Sequence, residues 1–148
     1  MTKFCGCSYL FEAQNDLTDY LIARPVNRAT LKAMVAFLFE EVISKFGIPK
    51  RVTVDGKPEM LGDLDKVLAT HGIRRLQISS YNPKANGIVE AGHYTLASQL
   101  KRMGGNWVKN LPFAVLAENS TTRASTQRTP HELVFGSIPV FPAEVEHE

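Results

Sequence analysis

The segment that decides the fold is Ser80–Glu90, which reads SYNPKANGIVE. Pro83 and the Asn-Gly pair after it are strong breakers of regular structure, so the first part of this segment is predicted to be a loop. From Ile88 onward the apolar spacing is that of an amphipathic helix. Glu90 therefore falls in the first turn of a helix, where a single carboxylate is ordinarily a favourable partner of the helix dipole.

A second carboxylate changes the interpretation of Glu90. The segment Arg51–Gly56 reads RVTVDG and is predicted to be a short apolar strand that ends at Asp55 and a glycine. Asp55 and Glu90 are 90 − 55 = 35 positions apart. A strand-end aspartate and a helix-start glutamate place hard oxygen ligands on rigid elements, which is what a divalent metal ion requires. The pair therefore predicts a metal site.

Length and composition indicate a single globular domain. The chain has 148 residues, 44% hydrophobic and 22% charged, with a net charge of +2. The charge is unevenly distributed, because residues 66–128 hold nine basic and two acidic residues, whereas the tail is acidic. This pattern suits a polyanionic partner, and a solvated surface of mixed charge explains it equally well.

The cysteines and the apolar segments indicate an intracellular protein that is not secreted. Cys5 and Cys7 alternate along one strand, so they are predicted to be thiols rather than a disulfide or a zinc site. The N-terminal apolar run is too short and interrupted for a signal peptide. No stretch approaches the length of a membrane span, so no membrane association is expected.

Periodicity and turn residues predict the elements of the first half of the chain. A hairpin of strands at 8–13 and 20–24 is predicted, with Pro25 ending the second strand. A helix follows from the N-cap Thr30 to Gly47, and its apolar face consists of Leu31, Val35, Leu38 and Val42.

Similar signals predict the second half. Asp63 is predicted to cap a short helix that Gly72 closes. The strand 73–78 is predicted to have one polar face, with Leu76 and Ile78 on the other. The remaining expectations are a helix from Ile88 to Met103 stopped by Gly104-Gly105, Trp107 as a core anchor, Asn110 as the cap of a helix with Pro112 in its first turn, and a last helical turn from Thr129 to Gly136.

The order strand-strand-helix-strand-helix-strand-helix-helix is that of an α/β fold. With the strand-Asp-Gly segment and the Tyr-Asn-Pro-x-x-Asn-Gly-x-Val-Glu block, the chain resembles the catalytic core of retroviral and LTR-retrotransposon integrases, and details lean toward gypsy-type elements of fungi. The resemblance implies a ribonuclease-H-like mixed sheet flanked by helices. It places a core, truncated at its N-terminus, at residues 1–136 and an extended acidic tail at 137–148.

The resemblance also implies an activity and a set of site residues. In that family two aspartates and a glutamate hold two Mg²⁺ or Mn²⁺ ions, and Asp55 matches the second aspartate and Glu90 the glutamate. The implied partners are DNA, as element ends and target, and further copies of the chain. The implied location is the nucleus, or the cytoplasm within a retroelement particle. The residues expected to contact DNA are Lys84, Asn86, His93, Tyr94, Lys101 and Arg102.

The chain departs from the family pattern where the first aspartate is expected. The central strand that carries this aspartate is missing, and Asp16 is interpreted as a turn residue that bonds its own backbone. Lys57 follows Asp55, where it would pair with that carboxylate or point to solvent. Glu59 is interpreted as a surface carboxylate.

Three functional hypotheses remain open. The first is an integrase core fragment that is inactive as the isolated chain. The second is a domesticated, catalytically dead module that binds DNA or protein, and the third is another nuclease or transposase of the same fold. The absence of this strand has three possible consequences for the sheet. The two strands beside it pair directly with each other, another chain fills the gap, or the domain is only marginally stable.

Overall fold

The computed structural model of the protein describes residues 6–54, 58–76 and 96–141. Its elements follow the predicted α/β order. From the N-terminus they are β1 (Tyr9–Gln14), β2 (Leu21–Val26), α1 (helical from Leu31 to Phe46), β3 (Arg51–Thr53), α2 (Pro58–Thr70), β4 (Arg74–Leu76), α3 (described over 96–103), α4 (Trp107–Ser120) and α5 (Pro130–Phe135).

The hairpin of β1 and β2 is confirmed, but Pro25 does not end its second strand. Pro25 lies inside β2 opposite Leu10. Hydrogen-bonded and non-bonded pairs alternate along an antiparallel ladder. Because Asn15 N–H donates to the Tyr20 carbonyl at 3.0 Å, this alternation makes Leu10 and Pro25 a non-bonded pair. The missing N–H of the proline therefore costs no bond to β1.

Helix α1 begins as predicted and is irregular in its middle. The Thr30 hydroxyl accepts from the Ala33 N–H at 3.2 Å, which confirms the N-cap. The segment Leu38–Ile43 is a π-helix, so each turn there takes up an extra residue. As a result Ile43 packs into the core in place of the expected Val42.

The strands form two separate sheets within the described residues. β1 pairs only with β2, and β3 pairs only with β4, in parallel. Of the three outcomes left open for the sheet, direct pairing between the two halves is therefore not found in the described part of the chain.

The faces of β4 differ from expectation. Leu76 is 45% exposed, whereas the Arg75 side chain is only 13% exposed and turns toward Asp65. The helix before it starts at Pro58, so Asp63 lies inside α2 and pairs with Lys66 instead of capping the helix.

The C-terminal half confirms most of the predicted signals. Gly104 and Gly105 have positive φ and follow α3, and Trp107 is buried. The cap of α4 is Asn106 rather than Asn110, and the Asn110 side chain donates to the Gly104 carbonyl at 2.7 Å. Thr129 caps α5 and Gly136 ends it.

Two hydrophobic cores result from this arrangement. The hairpin core consists of Leu21, Leu96, Leu100, Trp107, Leu111 and Ala114. The parallel-strand core consists of Leu64, Leu68 and Ile73, with Val52, Val54 and the apolar face of α1 packed on it. Phe37 of α1 contacts Phe11 of β1 with ring centroids 5.8 Å apart, so α1, which packs on the parallel-strand core, also contacts the hairpin. Among the described residues no helix is long and apolar enough to cross a membrane.

Candidate metal and nucleic-acid site

The two parallel strands precede the two candidate metal ligands in the sequence. β3 and β4 pair in register, with Arg51 opposite Arg74 and Thr53 opposite Leu76. Their carboxyl ends therefore lie at the same edge of the sheet. Position 55 follows Thr53 by 55 − 53 = 2 residues, and position 90 follows Leu76 by 90 − 76 = 14. The edge at the carboxyl ends of parallel strands is where α/β proteins commonly bind ligands.

Core packing and one ion pair hold the two strands that form this edge. Val52 and Val54 pack against the parallel-strand core. The Arg75 guanidinium donates two hydrogen bonds to the Asp65 carboxylate, from Nε at 2.6 Å and from Nη2 at 2.8 Å. The hydrogen bond from Arg75 holds the pKa of Asp65 below its usual range. The bidentate pair therefore fixes β4 to helix α2.

Helix α3, which follows position 90, is fixed to the hairpin core. Leu96 and Leu100 are buried there. On the neighbouring face the Gln99 amide donates to Glu118 of α4 at 2.5 Å. Glu118 is itself buried and pairs with Arg123 at 3.1 Å. This polar bridge adds to the apolar contacts that set the position of α3 on α4.

Lys101 and Arg102 are the predicted DNA-contacting residues that the structure describes. Both are exposed on α3. Neither takes part in an ion pair with another described residue, so both cations are accessible to a polyanion.

The other predicted site residues lie outside the described residues. They are Asp55 and Glu90, the loop residues Lys84 and Asn86, and His93 and Tyr94; Lys57 also lies there. Their assignment remains a prediction from sequence.

Asp16 lies in the hairpin turn, where a different residue makes the expected bonds. Asn15 Oδ1 accepts from the backbone N–H groups of Leu17 and Thr18, each at 3.0 Å. Asp16 is exposed. Within residues 6–54, 58–76 and 96–141 no three His, Cys, Asp or Glu side chains lie close enough to hold a metal ion together.

A separate groove of about 380 Å³ lies between β2, the end of α1 and the last two helices. Its wall is aromatic, with Tyr20 in contact with Phe46 at 5.9 Å and with Phe135 at 5.6 Å between ring centroids. The charged residues that line it, Glu41 and Lys45, pair with each other at 2.6 Å. The groove therefore offers an apolar surface rather than a catalytic one.

Several residues that fix β2, β4 and α3 to their neighbouring elements were not predicted from the sequence. They are Asp65 with Arg75, Gln99 with Glu118 and Arg123, and Asn119, whose amide bonds both backbone groups of Leu21. The alternation of β4 had placed Arg75 on a solvent-facing side, and Asn119 bonds a residue 98 positions away. A glutamate followed five positions later by an arginine was the one signal that the sequence offered for the Glu118 pair.

Comparisons with known proteins show that the chain is similar to a segment of retroviral and retrotransposon Pol sequences. The chain is 30% identical over 141 residues to the Gag-Pol polyprotein of gibbon ape leukemia virus, with 90% of the chain aligned. It is 30% identical over 145 residues to a retrovirus-related Pol polyprotein from transposon 412 of Drosophila melanogaster. The chain spans 8% and 12% of these two proteins. No family profile matches the chain.

Solved structures show the same fold. A chain of the simian T-cell lymphotropic virus intasome, determined with the PP2A regulatory subunit B56 gamma, matches with a TM-score of 0.73 at 20% identity, over 94% of this chain and 51% of that one. The catalytic core domain of BIV integrase matches with a TM-score of 0.66 at 20% identity, over 84% of this chain and 83% of that one. The predicted ribonuclease-H-like integrase-core fold is confirmed.

Proposed function

We propose that this chain is an integrase-core-like domain similar to those in retroviral and retrotransposon Pol proteins, that it binds DNA, and that its site is built for metal-dependent DNA strand transfer. The proposal includes Asp55 and Glu90 as metal ligands. The observation that supports it is the register of β3 and β4, whose carboxyl ends share one edge and precede Asp55 and Glu90, respectively, in the sequence.

The residues have separable roles in the proposed reaction. In strand transfer a DNA 3′-hydroxyl oxygen forms a bond to a phosphorus of the target, and the bond from that phosphorus to its 3′-oxygen breaks. Asp55 and Glu90 are hard oxygen donors that would hold Mg²⁺ or Mn²⁺, which activates the hydroxyl and stabilises the leaving oxygen. Lys84, Lys101 and Arg102 would hold DNA phosphates, with Asn86, His93 and Tyr94 beside them.

We expect the isolated chain to bind DNA without transferring strands. Two bridged metal ions require at least three carboxylates, and the motif supplies two, Asp55 and Glu90. Turnover would therefore need a further carboxylate from a longer polypeptide or a partner. The related viral chain comes from an intasome, which supports assembly with further copies and with DNA ends. A DNA-acting chain of this kind is expected in the nucleus or in a cytoplasmic retroelement particle.

Metal binding by the two carboxylates can be measured without turnover. We would titrate Mn²⁺ into the 148-residue chain by isothermal calorimetry and repeat the titration with Asp55→Asn and with Glu90→Gln. Each variant should lose measurable binding. Asp16→Asn is the matched control, because Asp16 is exposed in a turn that Asn15 closes. Equal binding by all four proteins would remove Asp55 and Glu90 from the metal site.

A strand-transfer assay tests the expected inactivity. The isolated chain is incubated with Mg²⁺ and labelled DNA ends, and products joined to a target plasmid are counted. No product is expected. Product that disappears in Asp55→Asn would show that the chain is an active transferase as it stands.

A domesticated binding module is the alternative function, and Lys101 and Arg102 favour it, since both are exposed and neither pairs with another described residue. In that case Glu90→Gln leaves DNA binding intact, whereas Lys84→Ala or Lys101→Ala removes it. Loss of DNA binding on Glu90→Gln alone, with the basic residues present, would favour the metal-dependent function instead.

A further inference from the structure

Two arginines face the same side of the parallel sheet at its amino end. Arg51 of β3 and Arg74 of β4 are register partners, and both are exposed. Neighbouring strands lie about 4.8 Å apart, so the two side chains leave the sheet side by side. Lys50 precedes this pair, is exposed, and accepts the Arg74 N–H with its carbonyl at 3.2 Å. The two guanidinium groups therefore lie side by side on one surface, and Lys50 adjoins them along the chain.

These cations have no acidic partner in the described part of the chain, unlike many other basic residues there. The paired residues include Arg24 with Glu40, Lys45 with Glu41, Lys66 with Asp63, Arg75 with Asp65, Arg123 with Glu118 and Arg128 with Glu132. Arg75 is next to Arg74 and is fully engaged, whereas Arg74 faces Arg51. Like charges directly opposite each other on a sheet destabilise the pair. The arrangement costs folding free energy that a bound anion would offset.

The rest of this face suits an extended ligand. The next register pair on the same side is Thr53 with Leu76, which are also exposed. A strip of two guanidinium groups, a hydroxyl and an apolar side chain therefore runs along the strands toward the Asp55 edge. Guanidinium groups bind phosphate oxygens through paired hydrogen bonds, and they do so better than single ammonium groups.

We propose that Arg51 and Arg74, with Lys50, bind the phosphate backbone of DNA on a surface distinct from that of Lys101 and Arg102. This inference rests on the proposed function, since it assigns a second contact region to the same DNA. The Arg51–Arg74 surface lies at the amino end of the strands whose carboxyl end leads to Asp55. DNA bound there would be held along the sheet as it approaches the metal edge.

The test is the salt dependence of DNA binding by the full 148-residue chain. A fluorescein-labelled 21-base-pair duplex is titrated with protein, and anisotropy is measured from about 50 to 200 mM NaCl. The double variant Arg51→Gln/Arg74→Gln should bind about tenfold more weakly at low salt, and its slope of log K against log salt should fall by about 1.8 in magnitude, the value for two lost phosphate contacts. Arg51→Lys/Arg74→Lys should keep the slope.

A charge-matched control separates this surface from net charge. Arg28 and Lys32 are exposed and form no ion pair with another described residue, so Arg28→Gln/Lys32→Gln removes the same charge elsewhere and should leave the slope unchanged. Urea unfolding supplies a second measurement. The Arg51/Arg74 glutamine variant should be as stable as the parent chain or more stable, because the like-charge pair is gone.

The outcomes distinguish this inference from the function on which it rests. If the parent chain binds DNA, loses binding on Lys101→Gln/Arg102→Gln, and is unaffected by the Arg51/Arg74 change, the second surface is refuted while DNA binding stands. If the parent chain shows no salt-dependent DNA binding, both proposals are refuted. A variant that loses binding together with stability would assign Arg51 and Arg74 to folding instead.

Discussion

Asn119 is expected to be one of the costliest polar residues to remove. Its side-chain oxygen accepts the Leu21 N–H and its amide donates to the Leu21 carbonyl, both at 2.8 Å. Because Asn15 bonds Tyr20 across the hairpin, the alternation of the ladder turns both backbone groups of Leu21 away from β1. Asn119 is 3% exposed, so water is a poor substitute for its amide.

Asn119→Ala should lower the free energy of unfolding by about 2–6 kcal/mol. Each buried backbone group left without a partner costs about 1–3 kcal/mol, and the substitution strands the Leu21 N–H and the Leu21 carbonyl together. With a urea m value of about 2 kcal/mol/M, the midpoint should shift down by about 1–3 M.

The assay is urea denaturation followed by Trp107 fluorescence, since Trp107 is the single tryptophan and is buried in the hairpin core. Circular dichroism checks that the transition is cooperative. Asn110→Ala is the matched control, because the Asn110 amide makes one exposed bond to Gly104 and should cost under about 1 kcal/mol. Equal midpoints for the Asn119 and Asn110 variants would refute the argument that Leu21 depends on this amide.

Three further changes test other contacts by the same denaturation assay. Asp65→Asn should flatten the acid limb of stability against pH: the lowered pKa of Asp65 gives the folded state a contribution that is present above about pH 4 and lost as pH falls further, whereas Asp63→Asn should keep that limb. Thr129→Ala should lower the free energy of unfolding by about 1 kcal/mol, because it removes the cap bond from the Glu132 N–H. The exposed control Thr126→Ala should lower it less, and equal losses would contradict the role of Thr129 as a cap. Glu118→Ala should lower the free energy of unfolding by about 2–3 kcal/mol, because Gln99 and Arg123 lose their partner. Glu118→Gln should lower it less, because a neutral partner for Gln99 remains. The reverse order would exclude the network.

Features that depend on neighbours within a few residues were predictable from the sequence. Thr30 and Thr129 cap helices because the hydroxyl of each reaches an N–H three positions ahead. Gly47 and Gly136 stop helices with positive φ values, which glycine adopts without strain. Local chemistry of this kind determined the element order, and the order was sufficient to indicate the α/β class.

Features that depend on distant packing were not predictable. The sequence predicted Asn110 as the cap of α4, whereas Asn106 caps the helix and Trp107 is buried in its first turn. Arg75 turns inward because Asp65, on a different element, lies within reach of it. The π-helical turn in α1 places Ile43 at the core where Val42 was expected. The expectation assumed a regular helix of 3.6 residues per turn, which does not predict this shift.

The division into two cores bears on the proposed metal site. The strand that leads to Asp55 packs on the parallel-strand core, whereas helix α3, which follows Glu90, packs on the hairpin core. Helix α1 packs on the parallel-strand core and also contacts the hairpin, through Phe37 and Phe11. A sequence motif specifies the types of ligand without specifying how these packed units are joined. The Ser80–Glu90 segment therefore indicates similarity to integrase cores, and present catalysis is decided by the metal-binding and strand-transfer assays.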